Sequence, residues 1–99
     1  MKVTISYKHL ESTAGIDDIT HRKSEKLTKY FDGKIHLKWN FTVEKQTHVA
    51  HCHLLGNHLE YFAEATTDSI YSAIDEVIGK LEKQIRKKKE IVKDHKSVA

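Results

Sequence analysis

Five apolar side chains, Ile35, Leu37, Trp39, Phe41 and Val43, occupy every second position of one stretch, and the residues alternating with them, His36, Lys38, Asn40, Thr42 and Glu44, are polar. Successive side chains of a strand point to opposite faces, so the pattern predicts a strand with one buried and one wet face. A sheet with a single apolar face must bury it against a second layer. The alternation recurs three times. Lys2 to Lys8 groups Val3, Ile5 and Tyr7; His48 to Leu55 groups Ala50, Cys52 and Leu54; Leu59 to Ala65 supplies Leu59, Tyr61, Ala63 and Ala65 as an inward set. Lys45-Gln46 and Gly56-Asn57 are short enough to close tight turns between the last three strands.

Two stretches of helical period supply the second layer. From about Ile16 to Phe31, the residues Ile16, Ile19, Leu27, Tyr30 and Phe31 fall on one stripe. Ser12 or Thr13 can cap its start, Asp17 and Asp18 suit its first turn, and Asp32-Gly33 is expected to end it. From about Asp68 to Lys93, the residues Ile70, Ile74, Val77, Ile78, Leu81 and Ile85 recur at three- and four-residue spacing. Gly79 interrupts this helix at a cost of roughly 1 kcal/mol, and the chain has no proline to break it. Its length of about 40 Å exceeds the expected width of the sheet. The final turns should therefore overhang the core beyond Ile85, with residues 94–99 as a disordered tail. The prediction is a single α+β domain over residues 1–99, of order β-α-β-β-β-α, with a four-stranded sheet and two helices packed on one face.

The chain opens on an alternating segment rather than a signal peptide, and no apolar run is long enough to span a bilayer. Cys52 is the one cysteine, so no internal disulfide can form and a reducing cytoplasm is expected. The net charge of +3 is unevenly placed. Residues 1–75 carry nine Lys/Arg against ten Asp/Glu, and residues 76–99 carry eight against four. Counted at 100° per residue, Arg22, Lys26 and Lys29 gather on one flank of the first helix, with Lys23 at the stripe's edge. The same count puts Lys80, Lys83, Arg86 and Lys87 on one flank of the last helix, followed by Lys88. These can be plain solvated faces. Like charges at i,i+4 repel, however, and two cationic stripes with few acids among them suit a phosphate backbone bound through counterion release.

Other chemistry finds less support. His48, His51, His53 and His58 crowd around Cys52, but Cys52 points away from His51 and His53 and no second Cys/His pair has zinc spacing. No metal and no cofactor is expected. There is no Gly-rich phosphate loop, nucleophile elbow or carboxylate pair of predictable geometry, so no catalytic residue is assigned. Cys52 reads as a small buried hydrophobe. Trp39 belongs to the core set. Phe62 falls outward, where an aromatic can stack on a base, but covering its neighbours' stems is the expected role.

The element order, with basic flanks on both helices, resembles the double-stranded-RNA-binding fold with an added first strand. Val43-Glu44-Lys45-Gln46-Thr47-His48, Tyr30-Phe31-Asp32, Ile70-Tyr71-Ser72-Ala73-Ile74-Asp75 and the Lys80 to Lys87 segment, in this order, are similar to the bacterial hibernation-promoting factor family. The resemblance implies a non-enzymatic plug on the 30S ribosomal subunit, near the channel between head and body, overlapping the sites of messenger RNA and of transfer RNA. It makes Arg22, Lys23, Lys26, Lys29, Lys80, Lys83, Arg86, Lys87 and Lys88 the contacts to 16S rRNA. It further implies a free monomer of the family's short form, whose members promote pairing of ribosomes with a second factor. Ser24 stands where that family's first helix is expected to hold a larger apolar residue, so packing is expected to be looser there. The competing readings are a general double-stranded-RNA-binding module and a protein adaptor working through the histidine-rich sheet face.

Overall fold

A computed structural model describes residues 1–98, and the side chains of residues 1–88. Its elements run β1 (Lys2–Lys8), α1 (Ala14–Glu25), a short 3-10 turn (Thr28–Tyr30), β2 (Ile35–Glu44), β3 (Thr47–Gly56), β4 (Leu59–Thr67) and α2 (Ile70–Val98). The strands form one sheet in the order β1-β2-β3-β4. β1 runs parallel to β2 with α1 as the crossover, and the remaining pairs are antiparallel. The expected α+β architecture is present, with both helices on the inner face.

That face is built by the alternation. Leu37, Trp39 and Phe41 of β2, Ala50, Cys52 and Leu54 of β3, and Tyr61, Ala63 and Ala65 of β4 are all buried. Against them lie Ile16 and Leu27 from the α1 side, and Ile70, Ala73, Ile74, Val77, Ile78, Leu81 and Ile85 of α2. Each large apolar side chain so enclosed contributes about 1.5–3 kcal/mol. Val3, Ile5 and Tyr7 on the edge strand are only partly covered. Leu59, expected inward, is 39% exposed because it opens β4 at the end of the sheet.

Several further expectations need correction. The first helix ends at Glu25 rather than Phe31. The Lys26 N–H bonds to Lys23 O at 3.2 Å and the Leu27 N–H to Ser24 O at 3.0 Å, which tightens the chain into i→i−3 turns. Leu27 thereby becomes fully buried, and Phe31 meets the Tyr61 ring edge-on with centroids 6.1 Å apart. Gly33 therefore does not terminate the helix, and no glycine has a positive φ.

Gly56 lies within β3, and the second turn is Asn57-His58, both left-handed at φ 52 and 62. Gly56 is required for space, since a Cβ there would lie 2.8 Å from Ile35 Cγ2 and 2.9 Å from the Phe31 ring. Finally, α2 starts at Ile70 and runs through Val98, so residues 94–98, expected as a disordered tail, are helical backbone. The expected end at Lys93 falls inside that helix, and Ala99 lies outside the described residues.

Ser24 explains itself in three dimensions. It is fully buried, and its Oγ accepts the indole N–H of Trp39 at 3.1 Å. A larger apolar residue would orphan that donor. Thr20, also buried, donates its hydroxyl to Ile16 O at 2.7 Å. Small, internally satisfied side chains thus let α1 sit close over Trp39. Its start is fixed by Thr13, whose Oγ1 accepts the Ile16 N–H at 3.1 Å, and by Tyr7 of β1, which donates to Asp17. Burial, and then that hydrogen bond, pushes the Tyr7 hydroxyl well above its ordinary pKa.

Candidate nucleic-acid interface

The helices turn their polar sides outward and are tied together across their junction. Lys23 Nζ of α1 lies 2.8 Å from Asp75 Oδ1 of α2. That hydrogen bond, with the field of Asp75, raises the Lys23 pKa, so the ammonium stays charged. Further along, the Tyr30 hydroxyl donates to Glu82 Oε2 at 2.7 Å. Arg86 reaches the same hydroxyl from Nε and Nη2, each at 3.3 Å, and contacts Glu82 Oε2 at 3.3 Å. Lys29 Nζ stands 5.2 Å from the centre of the Tyr30 ring, within cation–π range. Tyr30 therefore brings a cation from each helical segment to one place.

The expected single flank of Lys80, Lys83, Arg86 and Lys87 is divided. Arg86 leans toward Tyr30, whereas Lys80 Nζ donates to Glu64 O at 2.7 Å on the open edge of β4. Six residues turn the helix by about 600°, which leaves Lys80 and Arg86 about 120° apart around α2, so they can lean to different sides. Gln84 Nε2 likewise donates to Phe62 O at 2.7 Å. These two side chains cover carbonyls that an edge strand would otherwise offer to another chain. Lys88 Nζ lies 5.1 Å over the Tyr61 ring, and Lys87 shares a shallow hollow with Lys88, Gln84, Tyr61 and Glu60.

Arg22, Lys26 and Lys83 remain exposed on the outward surface, with no carboxylate partner among the described residues. The nine predicted residues thus form a band across the outer surface of both helices and down to the β4 edge. Asp75 and Glu82 within it are already engaged by Lys23 and by Tyr30 and Arg86.

Sequence reasoning missed the organisers of this band. In the sequence Tyr30 reads as a stripe residue, and Asp75 enters only as the end of the Ile70-to-Asp75 motif. The hydroxyl of a half-buried tyrosine, which needs a polar partner, was the available signal.

On the opposite, outward sheet face, the His53 ring stacks on Phe62, with centroids 4.2 Å apart and planes at 10°. His53 Nε2 lies 3.3 Å from Glu60 Oε1 but, like His48 Nδ1, is enclosed without an aligned hydrogen bond. Thr4 Oγ1 and His36 Nε2 are 2.9 Å apart. Among the described residues, no group of three His, Cys, Asp or Glu side chains is placed to hold a metal ion. Cys52 is buried, and burial pushes its thiol well above the ordinary range, which suppresses the thiolate. No helix among the described residues is long and apolar enough to cross a membrane.

Comparison with known proteins agrees with this architecture. Residues 3–93 match the family described as Sigma 54 modulation protein / S30EA ribosomal protein. The ribosome hibernation promoting factor of Escherichia coli (strain K12) is 34% identical over 95 residues, which cover 96% of this chain and 100% of that protein. The protein of the same name from Azotobacter vinelandii is 32% identical over 90 residues, covering 91% of this chain and 84% of the relative. Among solved structures, the N-terminal domain of Thermus thermophilus Protein Y superposes with a TM-score of 0.82 at 24% identity, covering 88% of this chain and 98% of that one. A ribosomal subunit interface protein from Coxiella burnetii gives a TM-score of 0.79 at 18% identity, covering 91% and 99%. These two likenesses speak to the fold. The family match over nearly the entire chain and the identity to whole relatives together place this chain in the S30EA ribosomal protein family, among its non-enzymatic ribosome hibernation promoting factors.

Proposed function

We propose that this protein is a cytoplasmic ribosome hibernation factor that binds the 30S subunit through the outer surface of its helix layer and silences translation by steric exclusion. The observation that carries the reading is that α1 and α2 pack side by side on one core, with the Lys23–Asp75 ion pair bridging them, so that their cationic positions share one surface. Arg22, Lys26 and Lys83 stand out from it without carboxylate partners among the described residues. Lysine and arginine on such a surface neutralise 16S rRNA phosphates and release their counterions. The rigid sheet behind then fills space that messenger and transfer RNA require. Recognition follows the shape of a folded RNA channel more than base sequence, because backbone contacts position without specifying. Pairing of silenced ribosomes falls to a second factor.

Co-sedimentation with purified 30S subunits tests this. The intact chain is expected to saturate near one copy per subunit and to be displaced by bound transfer and messenger RNA. Lys83→Glu/Lys87→Glu should abolish the interaction. Failure of the intact chain to sediment with 30S or 70S particles at moderate salt overturns the proposal. Competition by short duplex RNA as effective as that by subunits would favour a general duplex-binding module.

A further inference from the structure

The outward sheet face carries a second set of groups that the helix-layer reading leaves unused. The register aligns Lys38, His53 and Phe62 across β2, β3 and β4 in one row, with Asn40, His51 and Glu64 in the next. Phe62 is 51% exposed although one face of its ring is stacked on His53. His51 flanks it with centroids 6.3 Å apart. The backbone beneath is held rigid, since Phe62 O accepts from Gln84 and Glu64 O from Lys80. The aromatic ring is therefore fixed, backed by a second ring, and open on its outer face.

Beside this platform lies a cationic track. An open cleft of about 1070 Å³ at the end of the sheet is lined by Lys2, Lys34, His36, His58 and Lys88, with Glu60 as the carboxylate among its lining residues. Glu60 in turn faces His53. Parallel pairing sets Lys2 beside His36, one pleat from the row that holds Lys38 and Phe62. His36 feels this surplus: burial first, then the charges of Lys2 and Lys38, hold its pKa below the ordinary histidine value.

A rigid aromatic face with a positive track beside it is the arrangement that takes single-stranded nucleic acid, bases stacking on the ring while phosphates follow the cations. We propose that the outward sheet face is a second RNA-binding surface, taking a single-stranded segment with one base on Phe62 and its backbone along Lys38, Lys2 and Lys34. Apart from Lys88, which lines the cleft from α2, this surface is separate from the helix layer and does not depend on how that layer binds. A duplex cannot use it, because its bases are already stacked.

The test is fluorescence anisotropy of a labelled single-stranded RNA of about eight nucleotides, titrated with the full chain at low salt. Phe62→Ala should weaken binding at least about fivefold, the lower end of what one base–aromatic stack contributes. Phe62→Tyr should restore it. Lys2→Glu/Lys34→Glu should weaken binding and flatten its salt dependence, whereas Lys83→Glu/Lys87→Glu should leave it unchanged. Phe62 is half exposed, so its variants should remain folded, with the urea midpoint of Phe62→Ala lowered only slightly by loss of the His53 stack.

Equal affinity of the parent and Phe62→Ala would overturn the proposal. So would loss of binding only in the helix-layer variant, or no binding of single strands by the intact chain, which would leave the patch to a protein partner. None of these outcomes bears on sedimentation with 30S subunits, so the two surfaces stand or fall separately.

Discussion

Deleting one hydroxyl from the core should be unusually costly in this protein. Trp39 is 1% exposed, and its indole N–H has Ser24 Oγ as its hydrogen-bond acceptor, 3.1 Å away. Ser24→Ala removes that acceptor while changing side-chain volume very little. A buried donor left without a partner costs about 1–3 kcal/mol. For a chain of this size each kcal/mol lowers the melting temperature by roughly 4–8 °C. Urea unfolding followed by the emission of Trp39, the one tryptophan in the chain, reads the loss directly.

The cause is isolated by repeating the change in a Trp39→Phe background, with circular dichroism as the probe. There the donor is gone, so Ser24→Ala should be neutral or slightly stabilising. An equal cost in both backgrounds would mean that the hydrogen bond is not why serine occupies this position. Ser24→Leu, which supplies a larger apolar residue, should also destabilise, by about 1–3 kcal/mol through overpacking.

Two further expectations follow from the same core. Gly79 is exposed in the middle of α2, and a Cβ there would have nothing within 4 Å. Gly79→Ala should therefore stabilise the chain by about 1 kcal/mol in urea unfolding, and a loss would contradict the open space. Cys52 is held above its ordinary pKa by burial, and Tyr7 by burial and then by its hydrogen bond to Asp17. Both groups ionise more easily in the unfolded chain, so their stabilisation is complete below the unfolded thiol value of 9.0 and declines as pH rises above it. Urea midpoints should fall between about pH 8 and pH 10.5, and a flat profile would refute the assignment.

How far the sequence discloses this molecule depends on whether a residue's role is local. Alternation along β2 is decisive because slipping by one residue would turn Trp39 and Phe41 into solvent. The end of α1 is different. Leu27, Tyr30 and Phe31 continue a helical stripe perfectly well, and only the demand of Phe31 for space over Gly56 and beside Tyr61 favours the tighter turn. Gly33 and Gly56 were confused for a related reason: glycine can supply a left-handed φ or the absence of a Cβ, and sequence cannot say which.

The cations obey the same division. Helical spacing identifies which lysines and arginines lie outside the core, but the acceptors that fold nearby decide which are engaged. Lys80 is drawn to the β4 edge and Lys23 to Asp75, while Arg22, Lys26 and Lys83 meet no carboxylate among the described residues. Lys38 reads from the sequence only as one polar residue of a wet face, and its grouping with Lys2 depends on the parallel pairing across α1 that sets Lys2 against His36. A charge pattern in sequence therefore locates a surface. Its electrostatic function depends on the cations that remain after the fold has satisfied its own carbonyls and carboxylates, and those are the residues whose reversal should matter most to an RNA partner.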